Sequence, residues 1–296
     1  MDLPLGVLAV YGALAVWAGL LVDALRRRSY ALFLGFGIAL LLVLNVRYFI
    51  EGAPASIAFF IGIYDVLDNL GLSAGESAAA MAACPGNDCS VWGDMFAVHP
   101  AWGVAFYDRF LNGPALRTNL LHGHVLFNSL TFVLLHLQLL WPGHGARRAQ
   151  HRLLGRATFA TLTVGVACAV WLASEHGPVG EYGGSLSMWG FYFMSACVYV
   201  CAVMGVVAIR RGDHAAHRVW MIRFAGSMWG SFWLFRVMLF VLDPLLRDVE
   251  AAAIQTCIWL SAPLGIVLAE VYLRRAAARP DRTVSEAVVG EAPAGG

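Results

Sequence analysis

Residues 120–141 read LLHGHVLFNSLTFVLLHLQLLW, an apolar run that carries three histidines. A helix needs about 20 apolar residues to cross a hydrocarbon core of roughly 30 Å, so this run is long enough to span a membrane. Ionisable side chains inside a membrane span are costly and usually functional. The run therefore indicates a membrane helix, and it raises the question of what His122, His124 and His136 contact.

The composition of the whole chain is also that of a membrane protein. Of the 296 residues, 59% are hydrophobic and 13% are charged, whereas a soluble domain carries about 25% charge. The net charge of +1 gives no indication of a nucleic-acid partner. Comparable apolar runs recur and predict an all-α integral membrane protein with seven spans, at 4–25, 30–50, 119–141, 155–175, 187–210, 219–242 and 251–273.

The distribution of arginine predicts the orientation. All twenty basic residues are arginine, and fifteen of them lie near one set of span ends. Cytoplasmic loops of membrane proteins carry the excess of positive charge. The sequence thus predicts a protein of the cytoplasmic membrane with the N-terminus outside and the C-terminus in the cytoplasm.

Five segments follow from the spans. They are two N-terminal helices (1–50), an extracytoplasmic loop or cap (51–118), a four-helix core (119–242), a C-terminal helix (243–275) and a disordered cytoplasmic tail (276–296). In the loop, Cys84 and Cys89 bracket the turn sequence Pro-Gly-Asn-Asp. Because disulfides form in oxidising compartments, we expect a Cys84–Cys89 disulfide.

The spacing of the histidines suggests haem. His122 and His136 are fourteen residues apart, so on a helix they lie within roughly 40° of one face and about 21 Å apart. That spacing would offer one axial ligand to each of two stacked haems. His124 projects to nearly the opposite face.

A bis-histidine haem needs a second imidazole from another helix. For an outer haem the candidates are His122 or His124 with His176. For an inner haem they are His136 or His151 with His217, and His214 is a further possible ligand. The arginines Arg156, Arg223 and Arg236 could neutralise haem propionates, and Arg236, deep in its span, could also bind a quinone carbonyl.

The leading hypothesis is therefore a membrane redox protein like a b-type cytochrome, which binds haem b and passes electrons between a quinone and a redox partner. A non-enzymatic membrane protein for ligand or lipid binding, transport or assembly is the alternative, with the histidines as solvated or structural groups. A metal-dependent enzyme using His151, His214 and His217 is a third. The chain has no HExxH helix, GxSxG elbow or P-loop, which argues against hydrolases and ATP-driven pumps.

A set of motifs between residues 119 and 242 points to a family. They are a histidine and a glutamine fourteen residues apart (His124, Gln138), the stretch HRLLGR (His151 to Arg156), a GD–HR–WMIR stretch (Gly212 to Arg223) and a deep arginine (Arg236). With these the segment resembles the bacterial membrane-protein family catalogued as domain of unknown function 2306. The resemblance leaves spans one, two and seven outside and implies no activity. It favours His124 over His122, and His151 with His217 as a pair, while its four-helix unit is similar to membrane b-type cytochromes.

Overall fold

The computed structural model describes residues 5–27, 29–50, 114–140, 148–174, 184–238, 242 and 250–277. This part of the chain is helical and contains no strand. Its seven helices are α1 (Leu5–Arg27), α2 (Ala31–Ile50), α3 (Ala115–Leu140), α4 (Arg148–Ser174), α5 (Gly184–Arg210), α6 (His214–Trp229, continued by a π-helical turn at Gly230–Leu234) and α7 (Glu250–Ala277). The prediction of an all-α membrane protein is confirmed at this level.

Four helices have the length and apolar composition to cross a membrane, namely Ala115–Leu139, Arg148–Ser174, Ser185–Arg210 and Gln255–Ala276. A shorter apolar stretch covers Ala31–Val43. Large apolar side chains such as Leu32, Leu153 and Leu268 are exposed on the outside of the bundle. On a soluble protein such a surface would have to be covered by another molecule, and in a bilayer it faces lipid.

Several helices begin before their apolar runs, and the shift is largest for three of them. α3 starts at residue 115 rather than 119, α4 at 148 rather than 155, and α6 at 214 rather than 219. Hydropathy marks only the part of a helix that lies in the hydrocarbon, whereas the helix itself continues until its backbone is capped. For α6 the cap is Asp213, whose carboxylate accepts a hydrogen bond from the backbone N–H of Ala216 at 2.8 Å.

Helices α3 to α6 form a ring. α3 packs along α4, α4 along α5 and α5 along α6, and α6 touches α3 again. α4 and α6 therefore lie across the ring from each other. Apolar side chains fill its middle, among them Phe132, Leu135, Leu162, Val198, Phe224 and Met228.

The remaining helices pack on the outside of this ring. α1 and α2 form a hairpin in which the Trp17 indole donates to the carbonyl of Phe33 at 3.0 Å and stacks on its ring. α2 joins α3 through a buried hydrogen bond of 2.8 Å from Asn45 to Ser129. Small residues let α7 approach α6 closely, since a side chain at Gly226 would overlap the backbone of Gly265.

One end of the bundle is rich in arginine. The ends of α1, α5 and α7 meet the starts of α4 and α6 there, and they carry Arg26, Arg27, Arg210, Arg211, Arg274, Arg275, Arg148, Arg152 and Arg218, all exposed. We call this the arginine-rich end. Of the predicted cap at 51–118, residues 51–113, with Cys84 and Cys89, lie outside the described residues, whereas 115–118 belong to α3. His176 also lies outside them, as does the predicted tail at 276–296 except for its first two residues, which belong to α7.

Candidate functional site

His136 is the most deeply buried of the described histidines, with 1% of its surface exposed. Its Nδ1 lies 2.6 Å from the carbonyl oxygen of Phe132, one turn earlier in α3. A carbonyl can only accept, so Nδ1 carries the hydrogen and Nε2 has the lone pair. Nε2 accepts a hydrogen bond of 2.6 Å from the Trp229 indole in α6. Both ring nitrogens are therefore used, in a neutral imidazole that joins two helices.

Aromatic rings surround this contact and fix it. The rings of His136 and Phe132 are 4.4 Å apart, and Trp229 stacks against Phe33 at 5.6 Å and Trp17 at 5.9 Å. A haem iron could bind His136 only after the indole of Trp229 had moved away. The geometry does not fit His136 as a haem ligand.

The ring of His124 faces α4, and within the described part of the chain its hydrogen-bonding contacts are all made by Nδ1. Its Nδ1 accepts a hydrogen bond of 2.9 Å from the side-chain NH2 of Asn128 and lies 3.3 Å from the carbonyl oxygen of Gly165. The glycine lets α4 approach here, because a Cβ at Gly165 would overlap the Asn128 side chain. Because Nδ1 uses its lone pair to accept from Asn128, Nε2 carries the hydrogen of the neutral ring and would have to lose that hydrogen to bind an iron.

The same seam between α3 and α4 continues towards the arginine-rich end as a row of paired polar side chains. Thr131 donates to Thr161 at 2.8 Å, and Gln138 donates to Thr158 at 2.5 Å. The histidine and the glutamine of the fourteen-residue pattern thus both pack on α4. Hydrogen bonds of this kind stabilise helix pairs in membranes by about 0.6–1.7 kcal/mol each.

His122, the other candidate at this end of α3, lies apart from this seam. Its ring is half-buried and packs at 5.4 Å from the ring of Phe49 in α2. His122 and His124 therefore face different helices, as their helical phase predicts. Their proposed partner, His176, falls outside the described residues.

The GD–HR–WMIR stretch builds the start of α6. Gly212 adopts a positive φ of 78°, which lets the chain turn directly after α5. Asp213 then caps α6, and His217 reaches back to α5, with its Nδ1 at 2.8 Å from the carbonyl oxygen of Gly205. Because that carbonyl must accept, Nδ1 of His217 carries the hydrogen and Nε2 presents its lone pair.

The last arginine of the stretch connects α6 to α7. Arg223 forms a partly buried ion pair with Glu270, and its guanidinium lies 4.5 Å from the centre of the Trp220 ring. Arg223 is therefore neutralised within the protein, so a haem propionate is not required as its partner.

His151 and His217 occupy equivalent places on opposite helices of the ring. Each is the fourth residue of its helix, in α4 and α6 respectively, and both lie half-buried at the arginine-rich end. His151 shares a helical face with Gly155 and Thr158, which contact α3. The structure thus places these two residues at one level.

The other predicted pair of inner haem ligands, His136 with His217, is too widely separated to bind one iron. His136 contacts Trp229, and Trp229 is twelve residues after His217 in α6. Twelve residues of helix span about 18 Å, so His136 and His217 lie too far apart to ligate one iron. His214, three residues before His217, is exposed, as is Arg156.

Arg236 lies in α6 beyond the π-helical turn, at the end opposite the arginines. Its guanidinium donates to the carbonyl of Phe232 at 2.7 Å and lies 5.9 Å from that ring. His124 lies at that end too, in the third turn of α3, whose start is opposite the arginine-rich end. Arg236 and His124 therefore belong to the same end of the bundle.

Sequence reasoning did not identify the partners of these residues. Glu270 was missed, although it is the single acid within the predicted span 251–273 and lies at the depth of Arg223, which is a signal for an ion pair. The pairing of His136 with Trp229 joins residues 93 positions apart, and no local pattern encodes it. The described residues contain no group of three His, Cys, Asp or Glu side chains that could hold a metal ion.

Fold and site together define a multi-pass helical membrane protein whose interior carries paired polar side chains. A family model described as a predicted membrane protein (DUF2306) matches residues 121–273, just over half of the 296 residues. The chain belongs to this family. The match includes most of α7, so the expectation that the last span lies outside the family was wrong. No curated protein and no solved structure matches the chain.

Proposed function

We propose that the protein is a membrane redox protein of the b-type cytochrome kind, with seven spans and its arginine-rich end in the bacterial cytoplasm. The orientation rests on the location of the arginines, since basic residues are retained on the cytoplasmic side. Haem would supply a reversible one-electron iron couple in the bilayer, and quinone and a redox partner would exchange electrons with it.

One observation carries this proposal. His217 is held through Nδ1, which donates to the carbonyl oxygen of Gly205 in the neighbouring helix α5. Histidines that ligate metals commonly donate their second ring nitrogen to a backbone carbonyl, which fixes the ring and directs the other nitrogen at the metal. His136, with both nitrogens used, lacks this arrangement.

The residues then divide between two sites. His151 and His217 would hold an inner haem between opposite helices of the ring, and His214 would take no part. His124 and His176 would hold an outer haem, with Arg236 at the same end as a propionate or quinone contact. His122 is the alternative ligand there. The chain's own contribution is to fix the imidazole rings before any ligand binds, that of His217 through Gly205 and that of His124 through Asn128.

The test is an absorption spectrum of the detergent-purified full chain, oxidised and then dithionite-reduced, after expression with ample haem supply. We expect a Soret band and sharp α and β bands on reduction, which indicate bis-histidine haem. A flat visible spectrum from folded protein would overturn the proposal.

A second candidate function is a colourless membrane protein that binds a ligand or lipid or assists assembly. The polar seam favours it, because Gln138, Thr158, Thr131 and Thr161 satisfy one another without a cofactor. The same spectrum separates the two. A metal-dependent enzyme using His151, His214 and His217 is less well supported, since His214 is exposed and turns away from the bundle. Metal analysis of the purified chain tests it.

A further inference from the structure

The arginine-rich end carries a large positive charge that the described residues do not neutralise. Its acidic side chains are engaged, because Asp23 pairs with Arg27, Glu270 pairs with Arg223 and Asp213 caps α6. Nine exposed arginines have no carboxylate partner in the described ranges, namely Arg26, Arg148, Arg152, Arg156, Arg210, Arg211, Arg218, Arg274 and Arg275.

Three of these arginines form a stripe on α4. Arg148, Arg152 and Arg156 follow one another at intervals of four residues and are all exposed. Residues four apart lie on one helical face, about 6 Å apart along the axis. The stripe therefore runs about 12 Å inwards from the arginine-rich end along one outer face of the ring.

The stripe lies at the N-terminal end of α4, where positively charged side chains are unfavourable. A helix N-terminus carries a partial positive charge, so cations there are disfavoured, and like charges four residues apart repel. α4 has no acidic residue in its first turn to offset this. By contrast, Arg26, Arg274 and Arg275 lie in the last turns of α1 and α7, where the helix dipole favours them.

We propose that the α4 stripe binds the phosphate groups of an anionic phospholipid. A phosphate would neutralise the repelling guanidiniums, and it is the anion that arginine binds best in a bidentate manner. The stripe lies on the outer surface of the bundle at the depth where the starts of the spans meet the headgroup layer. Three cations in a row fit a lipid with two phosphates, such as diphosphatidylglycerol, better than a lipid with one. This inference does not depend on haem.

The test compares two triple variants of the full chain. In the first, Arg148, Arg152 and Arg156 are changed to Gln. The matched control changes Arg26, Arg274 and Arg275 to Gln, which removes the same charge from the same end but from sites that the helix dipole favours. Native mass spectrometry measures the diphosphatidylglycerol retained, and thermal unfolding in detergent micelles measures its effect with phosphatidylcholine as the reference lipid.

We expect the wild type and the control to retain diphosphatidylglycerol and to be stabilised by it over phosphatidylcholine. The α4 variant should bind it at least about tenfold more weakly, because it loses the guanidiniums that contact the phosphates, and one hydrogen bond to a charged group contributes about tenfold. Equal loss in both variants, or no preference of the wild type for the anionic lipid, would overturn the proposal. So would an equal stabilisation by inorganic phosphate, because the stripe would then bind soluble anions.

Discussion

His136 and His217 illustrate two uses of a histidine in one bundle. Both donate from Nδ1 to a backbone carbonyl, at 2.6 Å to Phe132 and at 2.8 Å to Gly205. They differ at Nε2, which in His136 accepts from Trp229 and in His217 has no hydrogen-bond partner within the described part of the chain. The contacts of Nε2 therefore distinguish a structural histidine, His136, from a candidate ligand, His217.

The largest effect on stability should come from replacing Trp229, the hydrogen-bond partner of the structural histidine His136. Trp229→Ala would empty a buried aromatic cluster and leave Nε2 of His136 without its donor. Trp229 is half-buried, and replacing a packed tryptophan by alanine costs about 3–5 kcal/mol of unfolding free energy, so we expect a loss of about 3 kcal/mol. Thermal unfolding in detergent would measure the loss, and Trp171→Ala is the control because Trp171 is 54% exposed in α4. Equal shifts for the two variants would show that the cluster does not hold the bundle together.

A smaller loss is expected when the imidazole is replaced. His136→Ala leaves the indole N–H of Trp229 buried without an acceptor, which costs about 1–3 kcal/mol. His136→Gln keeps an acceptor and should recover part of that loss. If the two variants unfold at the same temperature, the hydrogen bond contributes nothing beyond packing.

The start of α6 offers a test of how His217 is positioned. Asp213→Ala removes the cap and should cost about 1 kcal/mol, and it should loosen the turn that brings His217 to Gly205. Hydrogen exchange of the first turn of α6 would detect this, with Asp23→Ala, at a surface ion pair, as the control. Unchanged exchange would show that Gly212 and His217 fix the turn without the cap.

The smallest effect should come from the polar seam. Gln138→Leu and Thr158→Val each remove one buried hydrogen bond, so each should cost about 0.6–1.7 kcal/mol. Because they remove the same bond, the double variant should cost less than the sum of the two. Additive losses in thermal unfolding would indicate that the 2.5 Å contact is not a coupled pair.

The helices could be predicted from the sequence because an apolar run long enough to cross a membrane rarely forms any other structure. The early starts of α4 and α6 could not be read from hydropathy, since Arg148 to Leu154 and His214 to Arg218 form helix outside the apolar runs. Gly226 and Gly230 lie against the backbone of α7, but the sequence could not identify this partner helix, because a close approach depends on both surfaces. For the site, helical phase separated His122 from His124, whereas Trp229 as the partner of His136 required the tertiary arrangement of α3 and α6.

The central claim is that His217 is a haem ligand and His136 is a structural residue. The most direct test is the haem content per folded protein of His217→Ala and His136→Gln, read from reduced-minus-oxidised spectra beside the exposed control His214→Ala. We predict that His217→Ala loses the signal of the inner haem, while His136→Gln and His214→Ala keep the wild-type ratio. Loss of haem in His136→Gln with full retention in His217→Ala would contradict this account.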